Sequence, residues 1–187
     1  MLIEDEIYTS KDFSEEGIAK GDYEYCTFKG CNLSNTDLSS IRFVECSFDD
    51  CNLSSAILNS SVFQDVKFIN CKMLGLHFSQ CNTFGLSLSF EQCKMDHSSF
   101  YQLDLKKTTF SHCHLYEVDF SECNLTSAHF YDCDLNRAVF QDSILEKADF
   151  RSAYNYSIDP NHNKITKACF SRQGIHGLLD RHKIIIE

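Results

Sequence analysis

A five-residue spacing of large apolar side chains is the feature that most restricts what this chain can fold into. Between residues 88 and 150 every fifth position is Phe, Leu or Met, for 13 consecutive positions. The series is Phe90, Met95, Phe100, Leu105, Phe110, Leu115, Phe120, Leu125, Phe130, Leu135, Phe140, Leu145 and Phe150. A period of five is neither the 3.6 residues of an α-helix nor the two residues of a strand. The pattern therefore indicates an internal repeat.

The position two residues before each large residue indicates the local geometry. Residues two apart in an extended chain point to the same side. This second series is uncharged and mostly small: Leu88, Cys93, Ser98, Leu103, Thr108, Cys113, Val118, Cys123, Ala128, Cys133, Ala138, Ser143 and Ala148. Each five-residue unit is therefore predicted to be a short strand with one large and one small inward residue, followed by a turn at the surface.

A 20-residue period is superimposed on the shorter one, because Cys93, Cys113 and Cys133 recur at that interval. Four units per coil bring equivalent residues one strand spacing apart, about 4.8 Å. The prediction is an all-β, four-sided parallel β-helix of about seven to eight coils, stabilised mainly by contacts between neighbouring coils.

The A-x-L-x-x and C-x-F-x-x patterns of residues 21–150 resemble the pentapeptide-repeat family, whose fold is a right-handed quadrilateral β-helix. CKMLG at 71–75, LSFEQC at 88–93 and NYSID at 155–159 are similar to its topoisomerase-protecting branch. That branch includes Qnr-type quinolone-resistance proteins and the immunity proteins against microcin B17 and albicidin. The resemblance implies a non-catalytic protector of a type II topoisomerase, either DNA gyrase or topoisomerase IV. The long projecting loops of many Qnr-type members are missing here, so action of the immunity type fits better.

The repeat frame divides the chain into three parts. Residues 1–20 form a degenerate N-terminal cap, residues 21–150 carry the repeat, and residues 151–187 form a last irregular coil, a capping helix and a tail. Phe68 and Phe90 are 22 residues apart, which places a two-residue insertion within residues 79–87. Gly85 is expected in an inward slot there. The capping helix is expected to begin at Ser171, a residue type that favours helix N-caps.

Apolar residues near the C-terminus predict an assembly surface. Ile184, Ile185 and Ile186 follow one another, and Leu178 and Leu179 lie in the predicted capping helix. A homodimer through these five residues would bury them in a symmetric contact. The alternative is a monomer in which the same residues only cover the last coil.

Cysteines and histidines give no indication of catalysis, a cofactor or a metal. Nine of the 11 cysteines occupy the small inward position, where a thiol acts as a small apolar side chain. Stacked coils place some of them within bridging range, but free thiols are the favoured interpretation. Cys113 points inward while His112 and His114 point outward, so the three cannot converge on one ion. Cys81 and Cys123 have no visible base beside them, and we expect that the chain is not an enzyme.

Charge suggests what kind of partner the chain binds. The net charge is −10, and it divides into −4 for residues 1–20, −9 for residues 21–150 and +3 for residues 151–187. A surface of this kind repels nucleic acid and attracts proteins that bind nucleic acid. No apolar run is long enough to span a membrane, and the N-terminus has no signal-peptide pattern. We therefore expect a cytoplasmic protein with no direct nucleic-acid or membrane contact.

The outward acidic residues allow two interpretations. Charges keep any soluble solenoid in solution. Alternatively, a rod of about seven coils, roughly 35 Å long, mimics a DNA duplex, which carries about 20 charges over that length. Under the second interpretation the predicted topoisomerase contacts are Gln80, Asn82, Thr83, Phe84, Gly85, Asp119, Glu122 and Asp142. A general protein-interaction scaffold with an unrelated partner stays the alternative function, because a fold does not fix a function.

Overall fold

The computed structural model describes residues 1–185 and is built almost entirely from very short strands. In chain order the strands are β1 (Leu2–Glu4), β2 (Ile7–Thr9), β3 (Asp22–Glu24), β4 (Thr27–Lys29), β5 (Arg42–Val44), β6 (Ser47–Asp49), β7 (Val62–Gln64), β8 (Val66–Ile69), β9 (Leu88–Glu91), β10 (Thr109–Ser111), β11 (His129–Tyr131), β12 (Asp149–Phe150) and β13 (Cys169–Phe170). All pairings between them are parallel, and each joins one coil to the next.

The strands form two sheets on adjacent sides of the coil. One sheet has four strands in the order β1-β3-β5-β7, and the other has nine in the order β13-β12-β11-β10-β9-β8-β6-β4-β2. Equivalent residues pair at an interval of 20, as Phe28 pairs with Phe48, except that Phe68 pairs with Phe90 at an interval of 22. The other two sides are joined by isolated parallel bridges, such as Asn32 to Asn52.

We number the four faces of the coil in chain order by their large inward residues. Face 1 has Ile3, Tyr23, Phe43, Phe63, Leu86, Leu105, Leu125, Leu145 and Ile165; face 2 has Tyr8, Phe28, Phe48, Phe68, Phe90, Phe110, Phe130, Phe150 and Phe170; face 3 has Phe13, Leu33, Leu53, Met73, Met95, Leu115 and Leu135; face 4 has Ile18, Leu38, Leu58, Phe78, Phe100, Phe120 and Phe140. Coils 1 to 8 comprise residues 1–20, 21–40, 41–60, 61–80, 81–102, 103–122, 123–142 and 143–162, and residues 163–170 begin a ninth. The predicted quadrilateral parallel β-helix is confirmed.

Stacked aromatic rings run through the core. On face 2 the rings from Tyr8 to Phe170 form one column, with centroids 4.7 to 5.5 Å apart. A second column lies on face 1 in coils 2 to 4 and on face 4 from coil 4 onward. Coil 4 therefore carries rings of both columns, and Phe63 meets Phe78 edge-on at 6.2 Å. Met73 and Met95 lie on face 3 beside this crossover, where flexible side chains can fill an irregular core.

Left-handed backbone turns the chain at nearly every corner. Non-glycine residues such as Glu45 (φ 50°), Asp50 (φ 55°) and Lys147 (φ 58°) adopt this conformation. It is unfavourable for most side chains by about 1 kcal/mol or more each. Hydrogen bonds between coils offset that cost, as when Tyr25 N donates to Val44 O at 3.0 Å. Contacts between coils, rather than local preference, therefore hold the corners.

The N-terminal segment is itself the first coil of the stack. β1 and β2 pair in register with coil 2, and a short helix, α1 (Phe13–Glu16), is capped by the side chain of Asp12, which accepts from Ser14 N. Glu6 and Lys11 occupy positions that are inward in later coils, yet both are exposed. Charge is tolerated at these two positions because both side chains reach solvent.

The C-terminal segment differs from the prediction of one capping α-helix. It contains two 3-10 helices, Ile175–Leu178 and Asp180–His182, separated by Leu179. Ser171 Oγ accepts from Gly174 N at 3.0 Å, but this hydrogen bond lies in the turn before the first 3-10 helix. The N-cap of that helix is Gly174, which makes no side-chain cap, so the predicted N-cap at Ser171 is wrong. A third 3-10 helix, Phe78–Gln80, precedes the insertion. None of the helices within residues 1–185 has the length and apolar character that a bilayer crossing requires.

All 11 cysteines are free thiols, and ten of them are buried. Most buried thiols donate to backbone carbonyls of the core, as Cys51 does to Phe28 O at 3.3 Å and Cys133 to Phe110 O at 3.4 Å. Burial raises the pKa of Cys81 and of Cys123 to about 12. A thiol that stays protonated at neutral pH is a poor nucleophile.

Candidate functional site

The two-residue insertion forms an ordered turn on face 1 of coil 5, which we call the insertion turn (residues 82–87). Asn82 Oδ1 accepts from Phe84 N at 2.9 Å, and Gly85 has a left-handed φ of 69°. Gln64 Nε2 lies 3.5 Å from Phe84 O, which ties the turn to coil 4. The turn then rejoins the regular coil where Ser87 N donates to Phe63 O at 3.1 Å.

Leu86, and not Gly85, fills the inward slot of this turn. The sequence frame counted back from Phe90 predicted Gly85 there, but Gly85 is exposed while Leu86 packs against the core. The prediction failed because the two extra residues are absorbed before Leu86, in the bend at Asn82–Gly85. Phe84 is pushed outward by the same bend and is 81% exposed.

The Asp, Glu, Lys and Arg residues of face 4 are all acidic from coil 2 to coil 8. From coil 2 to coil 8 its residues (36–40, 56–60, 76–80, 98–102, 118–122, 138–142 and 158–162) include five Asp or Glu and no Lys or Arg. Four of the five belong to coils 6 to 8, and we call them the acidic strip: Asp119, Glu122, Asp142 and Asp159. The fifth, Asp37, is paired with Lys20 Nζ at 3.2 Å.

The acidic strip carries somewhat fewer charges per unit length than DNA. Coils 6 to 8 span two strand spacings, about 10 Å. Duplex DNA carries about six charges over such a length, against four carboxylates here. Asp159 is partly compensated by Arg181 Nη1 at 3.6 Å, and Asp142 lies 3.9 Å from His162 Nδ1. The strip is therefore a polyanion of lower charge density than DNA. The face that carries it has no Lys or Arg from coil 2 to coil 8.

Two residues that the sequence analysis did not select hold the central carboxylate in place. Tyr101 Oη donates to Glu122 Oε1 at 3.0 Å, and Gln102 Nε2 donates to Glu122 Oε2 at 2.8 Å. The hydrogen bond to Glu122 raises the pKa of Tyr101. Writing the sequence in 20-residue rows would have revealed both, because Gln102 and Glu122 then fall in one column.

The eight predicted topoisomerase-contact residues lie along one edge of the rod. Gln80, Glu122 and Asp142 occupy the corner between faces 4 and 1 in coils 4, 6 and 7, and Asp119 lies on face 4 itself. The remaining four, Asn82, Thr83, Phe84 and Gly85, are exposed in the insertion turn just beyond that corner. The fold thus places on one edge residues that are up to 62 positions apart in the chain.

The predicted dimerisation residues differ in their exposure. Leu178 packs partly buried against the core, and Leu179 is half-buried. Ile184 and Ile185 are 56% and 88% exposed, and Ile186 lies outside the described residues. Two apolar side chains beside the last coil therefore remain accessible to a partner.

Histidines on the outer surface pair with carboxylates of neighbouring coils. His97 Nδ1 is 3.1 Å from Glu117 Oε2, and His114 contacts both Asp96 and Asp134. Cys113 is buried beneath exposed His112 and His114. Within residues 1–185 no group of three or more His, Cys, Asp or Glu side chains is arranged to hold a metal ion.

A cavity lies beside the filled core, near its C-terminal end. It has a volume of about 420 Å³ and lies between residues 151–156 and 171–176. Its floor includes Tyr156, whose buried hydroxyl has no hydrogen-bond partner among the described residues. Ser171 Oγ, in the wall of the cavity, accepts from Gly174 N, and His176 Nδ1 lies 2.8 Å from Gln173 O. Neither group is hydrogen-bonded to the Tyr156 hydroxyl, so no base within residues 1–185 is paired with it.

Residues 22–89 and 86–154 match the sequence model of the pentapeptide repeat region. The fold is similar to the full-length structure of QnrB1, a plasmid-mediated fluoroquinolone resistance protein, with 17% identity, coverage of 98% of this chain and 100% of that chain, and a TM-score of 0.54. Two trypsin-treated QnrB1 variants are also similar. They have identities of 16% and 14%, and TM-scores of 0.51 and 0.52; each alignment covers 100% of this chain, and 100% and 99% of the respective QnrB1 chains. A search of curated protein sequences finds no match. At these identities the likeness concerns the fold.

Proposed function

Because this chain belongs to the pentapeptide repeat family and presents a cation-free acidic face, we propose that it is a non-catalytic protector of a type II topoisomerase. The enzyme would be DNA gyrase or topoisomerase IV, and the drug a quinolone or a peptide toxin. The rod occupies the surface on which the topoisomerase holds DNA, or engages the cleavage complex, and weakens the hold of the inhibitor. The similar fold of QnrB1, described as a fluoroquinolone resistance protein, supports this proposal.

The observation that carries the proposal is the acidic strip. A DNA-binding enzyme presents lysine and arginine to the phosphate backbone. Asp119, Glu122, Asp142 and Asp159 offer carboxylates at a related linear density, on a face whose coils 2 to 8 contain no Lys or Arg. Opposite charge speeds the encounter, and its benefit decreases as salt increases. Binding is therefore expected to be sensitive to ionic strength.

The insertion turn supplies the specific part of the contact. Phe84 is an exposed aromatic residue on face 1 of coil 5, one coil before the acidic strip begins on the neighbouring face 4. Buried aromatic side chains dominate many protein interfaces, whereas charged rims mainly set the rate and orientation of binding. Phe84 inserted into an apolar site on the topoisomerase would therefore distinguish the enzyme from other basic surfaces.

The tail completes the proposal by making the rod a homodimer. Ile184 and Ile185 are exposed next to the last coil, and a symmetric contact through them and Leu178 would remove apolar surface from water. Deleting residues 184–187 is expected to remove the tail contact and so to lower the mass measured by light scattering. An unaltered mass would refute the role of the tail.

A gyrase supercoiling assay tests the function directly. Ciprofloxacin or albicidin is added at a concentration that inhibits supercoiling, and the protein is titrated to several-fold molar excess over the enzyme. We expect supercoiling to recover, and the recovery to weaken as potassium glutamate is raised. The same assay with topoisomerase IV decatenation distinguishes the two enzymes.

Unchanged drug inhibition of both enzymes at that excess would refute the proposal. The remaining function would then be an interaction scaffold with an unrelated partner. Both proposed functions are binding functions and include no catalytic step.

A further inference from the structure

Face 1 carries charge of opposite sign in its two halves. In coils 1 to 4 its acidic residues are Glu4, Asp5, Asp22, Glu24, Glu45 and Asp65, and its only basic residue is Arg42. In coils 6 to 9 its basic residues are Lys106, Lys107, Lys147, Lys164 and Lys167, and its acidic residues are Asp104 and Glu146. Neither the net charge of the chain nor the proposed function accounts for this division.

Several of these charges have no ionic partner among residues 1–185. Arg42 pairs with Glu24 and Lys106 with Asp104, both at 2.8 Å. By contrast, none of the ion pairs found within residues 1–185 includes Asp22, Glu45, Lys147 or Lys164. The two acids lie at the negative end of face 1, and the two lysines lie at its positive end.

A second copy of the chain fits this surface if it runs in the opposite direction. The twofold axis that relates the two copies lies in the plane of contact, perpendicular to the rod, at the level between coils 5 and 6. It places coil 2 of one copy against coil 9 of the other, and coil 3 against coil 8. Such an axis reverses the rod direction but keeps the order of positions across the face. Asp22 then faces Lys164 of the second copy, and Glu45 faces its Lys147. Parallel rods would instead set like charges against each other.

The insertion turn lies next to this axis and adds an apolar contact. Phe84, on coil 5, is the most exposed aromatic residue of the described chain at 81%. Its twofold copy would lie about one strand spacing away along the rod, roughly 4.8 Å. Stacked or edge-on ring pairs have centroids about 4.5 to 7 Å apart. The two rings can therefore pack on each other at the centre of the contact.

We propose that face 1 is a self-association surface, through which two copies of this chain pair side by side and antiparallel. The contact is isologous, so each complementary charge pair occurs twice. It is distinct from the end-to-end contact of the tail. The axis also keeps both acidic strips on the same side of the pair, where they follow one another along the rod: one copy's strip lies at coils 6 to 8, and the other copy's strip lies at the level of coils 3 to 5. Phe84 is then shared between this contact and a topoisomerase, so the two uses compete.

Zero-length carbodiimide cross-linking of the full chain tests the pairing. Glu45 and Lys147 lie on coils 3 and 8, which are five strand spacings or about 24 Å apart within one rod. An amide bond between these two residues can therefore form only between two copies. Mass spectrometry is expected to identify Glu45–Lys147 and Asp22–Lys164 cross-links, including in a variant without residues 184–187. Absence of both cross-links at concentrations where the protein associates would overturn the proposal.

A charge-exchange experiment gives an independent answer. In the chain without residues 184–187, Glu45→Lys and Lys147→Glu each set two like pairs across the twofold axis, so each variant alone is expected to associate at least tenfold more weakly in sedimentation equilibrium. In an equimolar mixture the lysine introduced in the first variant faces the glutamate introduced in the second. The native Lys147 of the first variant likewise faces the native Glu45 of the second. The mixture is therefore expected to regain the wild-type association constant. A mixture that stays dissociated would contradict the antiparallel geometry.

Asp132→Lys is the matched control, because Asp132 is an exposed corner residue with left-handed backbone (φ 48°), but it lies on face 2. It is expected to leave association unchanged. Far-UV circular dichroism checks that all three variants keep the fold. Equal loss of association in the control would show that net charge, and not face 1, governs the contact.

Discussion

Coils 2 to 4 and coils 5 to 7 pack their second column of aromatic rings on different faces. The earlier coils stack Tyr23, Phe43 and Phe63 on face 1, whereas the later ones stack Phe100, Phe120 and Phe140 on face 4. Leucine occupies the face that the rings leave. Both arrangements fill a coil with similar volume, so close packing is kept while the position of the bulk changes.

The outer surfaces of the two regions differ as well. Coils 2 and 3 present small polar side chains such as Asn32 and Asn52 on face 3, whereas the later coils carry six contacts between a histidine or arginine and a carboxylate of a neighbouring coil. These pairs are solvent-exposed and each contributes little to stability. The difference shows that the core defines the solenoid in both regions, while the surface is free to vary with function.

The largest expected effect comes from the column that both regions share. Phe110→Ala removes a fully buried ring that stacks on Phe90 and Phe130, and should lower the free energy of unfolding by about 3–5 kcal/mol. Phe84→Ala is the matched control, since its ring is in solvent, and should change stability by less than about 0.5 kcal/mol. Urea unfolding measures both; similar losses would contradict the packing described.

Exchanging ring and leucine within one later coil breaks the comparison directly. Leu105→Phe with Phe120→Leu keeps the volume of coil 6 but interrupts the stack in which Phe120 lies 5.3 Å from Phe100 and 5.2 Å from Phe140. A loss of about 1–3 kcal/mol is expected, because the shape of each layer no longer matches its neighbours. A neutral double variant would show that coil volume alone matters, and that stacking does not determine the face.

Charge reversal on face 4 sharpens the functional side of the comparison. Asp142→Lys, in the later region, should weaken topoisomerase protection about tenfold, since it places a cation in the acidic strip. Asp37→Lys, on the same face in coil 2, should weaken protection much less. Titration in the supercoiling assay compares the two. Equal effects would indicate that the whole face contributes, while no effect from either would remove face 4 from the contact.

The smallest expected effect concerns pH and a single residue of the earlier region. Hydrogen bonds from the Ser39 side chain and backbone hold the pKa of Asp37 at about 2, below its ordinary value of 3.8. A lowered pKa stabilises the fold above about pH 4, and this stabilisation is lost as pH falls toward 2. Asp37→Asn should therefore cost well under about 1 kcal/mol at pH 5, because the group is solvated, and the difference should vanish as the pH falls below about 2. A difference that persists well below that pH would assign the effect to packing.

Much of the fold follows from the sequence because each inward position repeats at a fixed interval. The five-residue period identified the buried residues of each coil, and the 22-residue step from Phe68 to Phe90 located the insertion. The period could not show how two extra residues are absorbed. Leu86 rather than Gly85 points inward, since hydrogen bonds of the turn to coil 4 decide this. Nor could helical spacing after Ser171 distinguish 3-10 turns from an α-helix.

The candidate site was only partly predictable for a related reason. Asp119, Glu122 and Asp142 could be selected because outward acids are visible in the repeat frame. Tyr101 and Gln102, which position Glu122, are 20 or 21 residues away in the chain and become neighbours only when coils are aligned. The opposite charges on the two halves of face 1 also emerge only when residues are sorted by face, since the sign changes at the insertion.

Because every coil packs only on the coil before and the coil after it, the length of the rod changes in steps of about 4.8 Å, one step for each coil. Inserting or deleting one whole 20-residue coil would move all later coils by one strand spacing along the rod, without changing the face on which any side chain lies. Evolution can therefore adjust the reach between the two ends in equal steps. Short insertions, such as the two residues in coil 5, leave the length of the rod unaltered and instead add an exposed turn at one coil.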